Sequence, residues 1–229
     1  RPRVAVLSTG NELAEPSAPP GSLPRGVIRD SNRYMLIAAC QEEGVEAVDL
    51  GIASDDAAAL EAKLDEAIRN GADVLITSGG VSMGDRDLVK PLLERRGKIH
   101  FGRVLMKPGK PLTFATIDVA AAADGGGGGP RRLLVFGLPG NPVSSIVTFH
   151  LVVVACLRKL AGHRDPTLRR IRVRTTAPIK LDPERPEYHR ATVRWDDARG
   201  CLAADSTGGQ RSSRIMSMRS ANVLLELPR

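Results

Sequence analysis

Lys107 and Lys110 flank a Pro-Gly turn in Met106-Lys107-Pro108-Gly109-Lys110-Pro111, which brings two ammonium groups near one spot. Two further glycine loops follow apolar runs: Thr77-Ser78-Gly79-Gly80-Val81-Ser82-Met83-Gly84-Asp85 and Gly137-Leu138-Pro139-Gly140-Asn141-Pro142-Val143-Ser144. Glycines let the backbone approach a ligand and turn successive N–H groups toward it, while serines and lysines add donors and positive charge. The combination suits a phosphorylated or otherwise anionic small molecule. A carboxylate beside phosphate repels it unless a metal lies between. Asp85 is therefore a Mg²⁺ candidate, because Mg²⁺ takes one or two carboxylates together with substrate phosphates. Asp87 reads as a helix cap. Ser8-Thr9-Gly10-Asn11-Glu12 offers hydroxyls and a carboxylate after the first apolar run.

Several chemistries lack their usual residues. Neither G-x-G-x-x-G nor G-x-x-x-x-G-K-[ST] occurs at the first glycine loop, so dinucleotide and P-loop readings lose their support. No Ser/His/Asp arrangement is evident. Cys40, Cys156 and Cys201 form neither a CxxC pair nor a Cys/His cluster, which points to reduced cytosolic thiols, with Cys40 and Cys156 packing inside helices. The 33 Lys plus Arg against 26 Asp plus Glu give a net charge of +7. That excess is scattered Arg rather than one dense run, and with aromatics at only 3% there is no base-stacking surface, so no nucleic-acid partner is expected. No signal peptide and no 18-residue apolar run is read, hence no transmembrane segment.

The elements that position these loops alternate. Val4–Leu7, Ala47–Ile52, Val74–Thr77, Val104–Met106, Leu112–Ala115 and Leu133–Phe136 read as strands, several apolar on consecutive positions as two-faced burial requires. A helix from Asn32 carries Met35, Leu36, Ala39 and Cys40 on one stripe and stops at Gly44. A second begins near Ala57, with Asp55 or Asp56 as N-cap and Leu60, Leu64 and Ile68 in register. A third follows Asp87, with Pro91 in its first turn. The fourth has Asn141 at the N-cap, Pro142 at N1, a stripe from Val143 to Val154 and Gly162 as its close. His150 falls within that stripe and reads as a satisfied core histidine. An open, mostly parallel sheet with helices on both faces follows, and such sheets place ligands at the carboxyl ends of their strands.

Two segments break the alternation. Residues 120–130 form an Ala/Gly tract, read as a flexible surface insertion. From Thr167 the period becomes two, in Arg170–Arg174 and His189–Trp195, with short strands at Leu202–Ala204 and Val223–Leu227 and a hairpin loop at Asp196–Gly200. Residues 1–165 thus read as an α/β domain and 166–229 as a small β-barrel domain. The first strand begins almost at the first residue, which reads as a piece of something longer.

Ser-Gly-Gly-Val-Ser-Met-Gly-Asp, Met-Lys-Pro-Gly-Lys-Pro and Gly-Leu-Pro-Gly-Asn-Pro-Val-Ser, in this order, resemble the MoeA family, which includes the gephyrin E domain and the plant-type molybdenum insertase E domain. The resemblance extends to Ser8–Glu12, Asp30-Ser31-Asn32, Tyr188-His189-Arg190-Ala191 and Ser212–Asn222. With Leu224–Pro228, the last block looks most like plant-type members. The resemblance implies a cytoplasmic molybdopterin-binding enzyme that inserts molybdate into adenylylated molybdopterin and releases AMP. Carried over by motif, Lys107, Lys110, Pro111, Arg190 and Ser217 would hold molybdate. Ser82, Asp85 and Lys90, with Ser78, Gly79 and Gly80 and with Gly137, Pro139, Gly140, Asn141 and Ser144, would hold the nucleotide-phosphate part and Mg²⁺. Glu12 and Asp55 or Asp56 match acidic positions that the resemblance associates with activity. The family also implies a homodimer, built by upstream segments that roof the active site from the partner subunit. An upstream molybdopterin adenylyltransferase, as domain or separate protein, would supply the substrate. The chain alone is then expected to bind ligands but turn over poorly. Alternatives are the related adenylyltransferase itself and a gephyrin-like receptor scaffold.

Overall fold

The structure, a computed structural model, describes residues 1–81, 87–120 and 130–229. Its strands are β1 (Arg3–Thr9), β2 (Leu13–Ala14), β3 (Ile28–Arg29), β4 (Glu46–Ala53), β5 (Val74–Ser78), β6 (Lys98–Phe101), β7 (Thr113–Val119), β8 (Arg131–Leu138), β9 (Arg174–Thr175), β10 (Glu187–Asp196), β11 (Cys201–Ser206) and β12 (Val223–Leu227). The helices are α1 (Asn32–Glu42), α2 (Ala57–Arg69), α3 (Val89–Arg96), α4 (Pro142–Thr148), α5 (Val154–Leu160) and α6 (Met216–Arg219), with a wider π-turn at Phe149–Val153 joining α4 to α5.

Six strands form the main sheet in the order β4-β1-β5-β8-β7-β6. Pairing is parallel from β4 to β8, then antiparallel on both sides of β7. Alternate strand residues feed two cores. Ala5, Leu7, Leu75, Val135 and Ile117 pack with Leu60, Leu64, Leu92 and Leu93 of α2 and α3. Val4, Val6, Ile76, Phe136 and Leu138 pack with Leu36, Cys40, Ile146, Phe149 and Leu157 on the other face. Two-sided burial explains the unbroken apolar runs. A second, four-stranded sheet, β12-β10-β11-β9, follows as the small barrel-like domain, around Ala191, Ala204 and Leu225. The α/β fold followed by a small barrel is as the sequence implied.

Start signals were read closely where capping chemistry is local. Asn141 caps α4 by accepting from Ser144 N at 3.4 Å, with Pro142 at N1. Asp56, rather than Asp55, caps α2, accepting from Ala59 N at 2.8 Å. Elsewhere the expectations need correction. Val104–Met106 is irregular backbone, closed by Val104 N donating to Lys110 O at 3.0 Å, and the neighbouring strand is instead Lys98–Phe101. Arg170–Val173 joins no ladder, and only Arg174–Thr175 pairs with β11. The segment Pro142–Leu160 is long and apolar enough, by length and composition, to span a membrane, contrary to the expectation of no such apolar run. It is the core helix of the α/β domain, with Val143, Val147, Phe149, Val153 and Val154 fully buried. His150 is only half-buried on it and accepts or donates no side-chain hydrogen bond among the described residues. Burial pushes its pKa below the usual 6.5, so it is not the satisfied core histidine expected. Most of the Ala/Gly tract, 121–129, lies outside the described residues.

Candidate functional site

The carboxyl ends of β1, β5 and β8 form one edge of the main sheet, and glycines allow the loops leaving them to touch. Gly79 (φ +95°) and Gly80 (φ +65°) take backbone that L side chains rarely adopt. A Cβ on Gly79 would lie 2.6 Å from Thr9 O, and one on Gly140 would lie 3.4 Å from Gly79 Cα. Gly79 N donates to Leu138 O at 3.1 Å, closing the β5 loop against the β8 loop. Gly137 serves packing instead, since the Val81 side chain fills the space above it.

Asn32 braces this edge from the start of α1. Its Nδ2 donates to Ser78 Oγ and to Gly140 O, each at 2.7 Å. Asp30, almost fully buried, holds Asn32 in place by accepting from the Asn32 and Arg33 backbone N–H groups and from Ser8 Oγ. Asp30-Ser31-Asn32 belonged to the resemblance, but no role was read for it. At the β1 end, Asn11 and Asp55 exchange hydrogen bonds, Asn11 N to Asp55 Oδ2 at 3.3 Å and Asp55 N to Asn11 Oδ1 at 3.0 Å. The Glu12 carboxylate folds back over Gly10.

The lysine turn reaches the same edge because β7 runs antiparallel. Thr113 pairs with Gly137, so the amino end of β7 meets the carboxyl end of β8. Here a cleft of about 410 Å³ opens, lined by Lys90, Arg103, Lys110, Pro111, Asp87 and Glu94 among others. Lys110 is exposed, and the described residues give Lys90, Arg103 and Lys110 no ion-pair partner. Burial pushes the Asp87 carboxyl up, opposed by the Lys90 N–H and ammonium. Asp87 Oδ1 accepts from Lys90 N at 3.4 Å, the capping role expected of it. Arg103 and Glu94 were not singled out from sequence. Ser82 and Asp85 lie outside the described residues.

The remaining molybdate candidates gather elsewhere. Lys107 Nζ lies 2.8 Å from Glu187 Oε2 and 3.2 Å from Asp182 Oδ2. These partners, Glu187 foremost, hold its ammonium pKa above the usual value against the desolvation. Lys107 also joins the two sheets through backbone: Lys107 N donates to Pro186 O at 3.0 Å and Tyr188 N to Lys107 O at 2.8 Å. Arg190 is fully buried; its Nε donates to Ser217 Oγ at 2.9 Å and its Nη2 to Arg211 O at 3.3 Å. Burial pulls its pKa down, with Glu187 opposing. The set expected to converge is thus found in two places. Lys110 and Pro111 line the cleft, while Lys107, Arg190 and Ser217 cluster near Glu187 at the junction of the sheets. Asp182 and Glu187 were missed because nothing local to Lys107 in the sequence announces them.

Residues 5–159 match the family model described as probable molybdopterin binding domain, and residues 172–229 match that of the MoeA C-terminal region (domain IV). The chain belongs to the MoeA family. Among its relatives, gephyrin of Dictyostelium discoideum is 46% identical over 99% of this chain and 34% of that protein. The molybdopterin molybdenumtransferase of Nostoc sp. is 38% identical over 100% of this chain and 49% of that protein. The chain therefore spans between a third and a half of the length of these relatives. In structure it resembles the molybdopterin biosynthesis moea protein from Pyrococcus horikosii, with a TM-score of 0.73 and 28% identity, covering 100% of this chain and 50% of that one.

Proposed function

We propose that this chain carries the insertion centre of a molybdopterin molybdotransferase, which places molybdate in adenylylated molybdopterin and releases AMP. The observation that carries the reading is the meeting of two glycine loops and the Lys110 turn at one sheet edge beside a cationic cleft. Both substrates are anions, and fixed N–H groups and ammonium groups offset the repulsion between them. The loops at Gly79–Gly80 and Gly140–Ser144 hold the nucleotide-phosphate part, and Lys110 and Pro111, with Lys90 nearby, hold the oxyanion end. Lys107, Arg190 and Ser217 lend two further cations and a hydroxyl to the oxyanion from the junction with the barrel side. Glu12 and Asp55 shape the β1 end of the edge. The relatives named molybdopterin molybdenumtransferase support the activity, and the match to the MoeA C-terminal region favours it over the adenylyltransferase alternative.

Mg²⁺ fits this reading through Asp85. Asp85 follows the first glycine loop in the sequence, and a single carboxylate there suits an ion held chiefly by substrate phosphates. When bound it would neutralise phosphate charge. A homodimer, an upstream adenylyltransferase and a cytoplasmic setting belong to the same proposal. The test is AMP release from adenylylated molybdopterin on addition of molybdate, using the chain extended at its N-terminus. Release that requires molybdate, and that Asp85→Asn stops without loss of pterin binding, supports the proposal. Consumption of ATP instead would assign the adenylyltransferase reaction, and full release by Asp85→Asn would remove the metal role.

A further inference from the structure

Lys107 is the one lysine of the site turn whose charge is already taken. Its ammonium sits between Glu187 at 2.8 Å and Asp182 at 3.2 Å, yet about a third of its side chain remains exposed. Glu187 is pinned: it is 4% exposed, and its second oxygen meets His189 Nδ1 at 3.0 Å, with His189 Nε2 in turn 2.7 Å from Ser206 Oγ. Asp182 is held by the Glu184 and Arg185 backbone N–H groups at 2.9 and 3.0 Å. Arg190 beside them has only neutral partners, and the described residues place no carboxylate within ion-pair reach of it. Glu187 is therefore the buried negative charge paired with Lys107, and its field also favours the charged form of Arg190.

We infer that Glu187 is an internal counter-anion of the oxyanion site, occupying Lys107 while the site is empty and competing with the incoming oxyanion for it. This rests on the reading above, in which Lys107 contributes to oxyanion binding. The physical reason is asymmetry of freedom. The carboxylate is fixed by burial and by His189, whereas the lysine has a flexible stem reaching solvent, so exchange moves the ammonium and leaves the carboxylate behind. Without such an anion, the buried Arg190 guanidinium would lose the one negative charge that opposes its desolvation. With it, Lys107 is already paired, and each oxyanion that binds must outcompete a resident carboxylate. The consequence is weakened ground-state binding. An enzyme that binds substrate and transition state equally tightly gains nothing in kcat, so a built-in competitor raises KM for the oxyanion without lowering kcat.

The test is direct binding of molybdate, and of sulfate as an isosteric dianion, to the wild-type chain and to Lys107→Ala, Glu187→Gln and the double variant. Glu187→Gln keeps the shape and the acceptor toward His189 while removing the charge. It should tighten both dianions by on the order of tenfold, the scale of one charge-assisted contact. In the N-terminally extended protein it should lower KM for molybdate without raising kcat. Lys107→Ala should weaken binding, and Glu187→Gln should then add nothing. Thermal melting verifies that Glu187→Gln folds; if it does not, Asp182→Asn replaces it, with a smaller tightening in the same direction. Weaker or unchanged binding by a folded charge-removed variant, with Lys107→Ala still weakened, overturns the inference and leaves the site reading standing. Unchanged binding by Lys107→Ala overturns instead the place of Lys107 in the site.

Discussion

Asn32 donates from a single amide nitrogen to the Gly140 carbonyl and to the Ser78 hydroxyl, each at 2.7 Å. The residue that begins α1 thereby sets the distance between two glycine loops that arrive from different strands. Asn32→Ala removes both bonds and leaves a buried hydroxyl and a loop carbonyl without their partner. The expected loss is about 1–3 kcal/mol of stability, with weaker nucleotide binding and molybdate binding less affected. Thermal denaturation and AMP titration would measure both.

Gly79 and Gly80 differ in what surrounds them, although both have positive φ. A Cβ on Gly79 meets backbone, Thr9 O at 2.6 Å, whereas one on Gly80 first meets Val89 Cγ2, also at 2.6 Å. Gly79→Ala should therefore cost more than Gly80→Ala, whose clash a side-chain shift relieves. Each carries in addition about 1–2 kcal/mol for left-handed backbone. Denaturant titration of the two variants ranks them.

Lys110 and Arg190 separate binding from stability. Lys110 is exposed in the cleft, so Lys110→Ala should weaken molybdate binding about tenfold or more, from the loss of one charge-assisted bond, with the melting temperature unchanged. Arg190 is fully buried and bonded to Ser217, so Arg190→Ala should lower both the melting temperature and the affinity. Calorimetry on the two variants would distinguish these patterns.

Acid should loosen the junction of the sheets. The Glu184 and Arg185 backbone N–H groups and the Lys107 ammonium pull the Asp182 pKa from 3.8 to about 2. A lowered carboxylate pKa contributes stability that is complete above 3.8 and is lost as pH falls through about 2. Wild type should thus lose stability over that window more steeply than Asp182→Asn. Melting curves across the window would show the difference in slope.

How much of this was legible depended on the range of the interaction. Asn141-Pro142 announces α4 because capping is settled within a few residues, and the alternation of Val4, Val6, Ile76 and Phe136 with Ala5, Leu7 and Leu75 announces a sheet covered on both faces. Lys98-Ile99-His100-Phe101 was missed as a strand because an edge position leaves it largely exposed and hides its pattern. Arg170–Val173 alternates yet finds no partner, since period two reports a half-buried face only once a neighbouring strand exists. At the site, Lys110, Gly79 and Gly140 were legible from loop composition. The pairing of Lys107 with Glu187 was not, because only the tertiary fold brings the barrel domain to the turn.

In the proposed function Lys110 and its cleft receive the oxyanion. A crystal soaked in tungstate, the heavier analogue of molybdate, tests it most directly through anomalous scattering. A peak is expected within hydrogen-bond distance of Lys110 Nζ beside Pro111, abolished in Lys110→Ala crystals. A peak of equal strength in the Lys110→Ala crystals, or tungstate bound only away from the cleft, would contradict it.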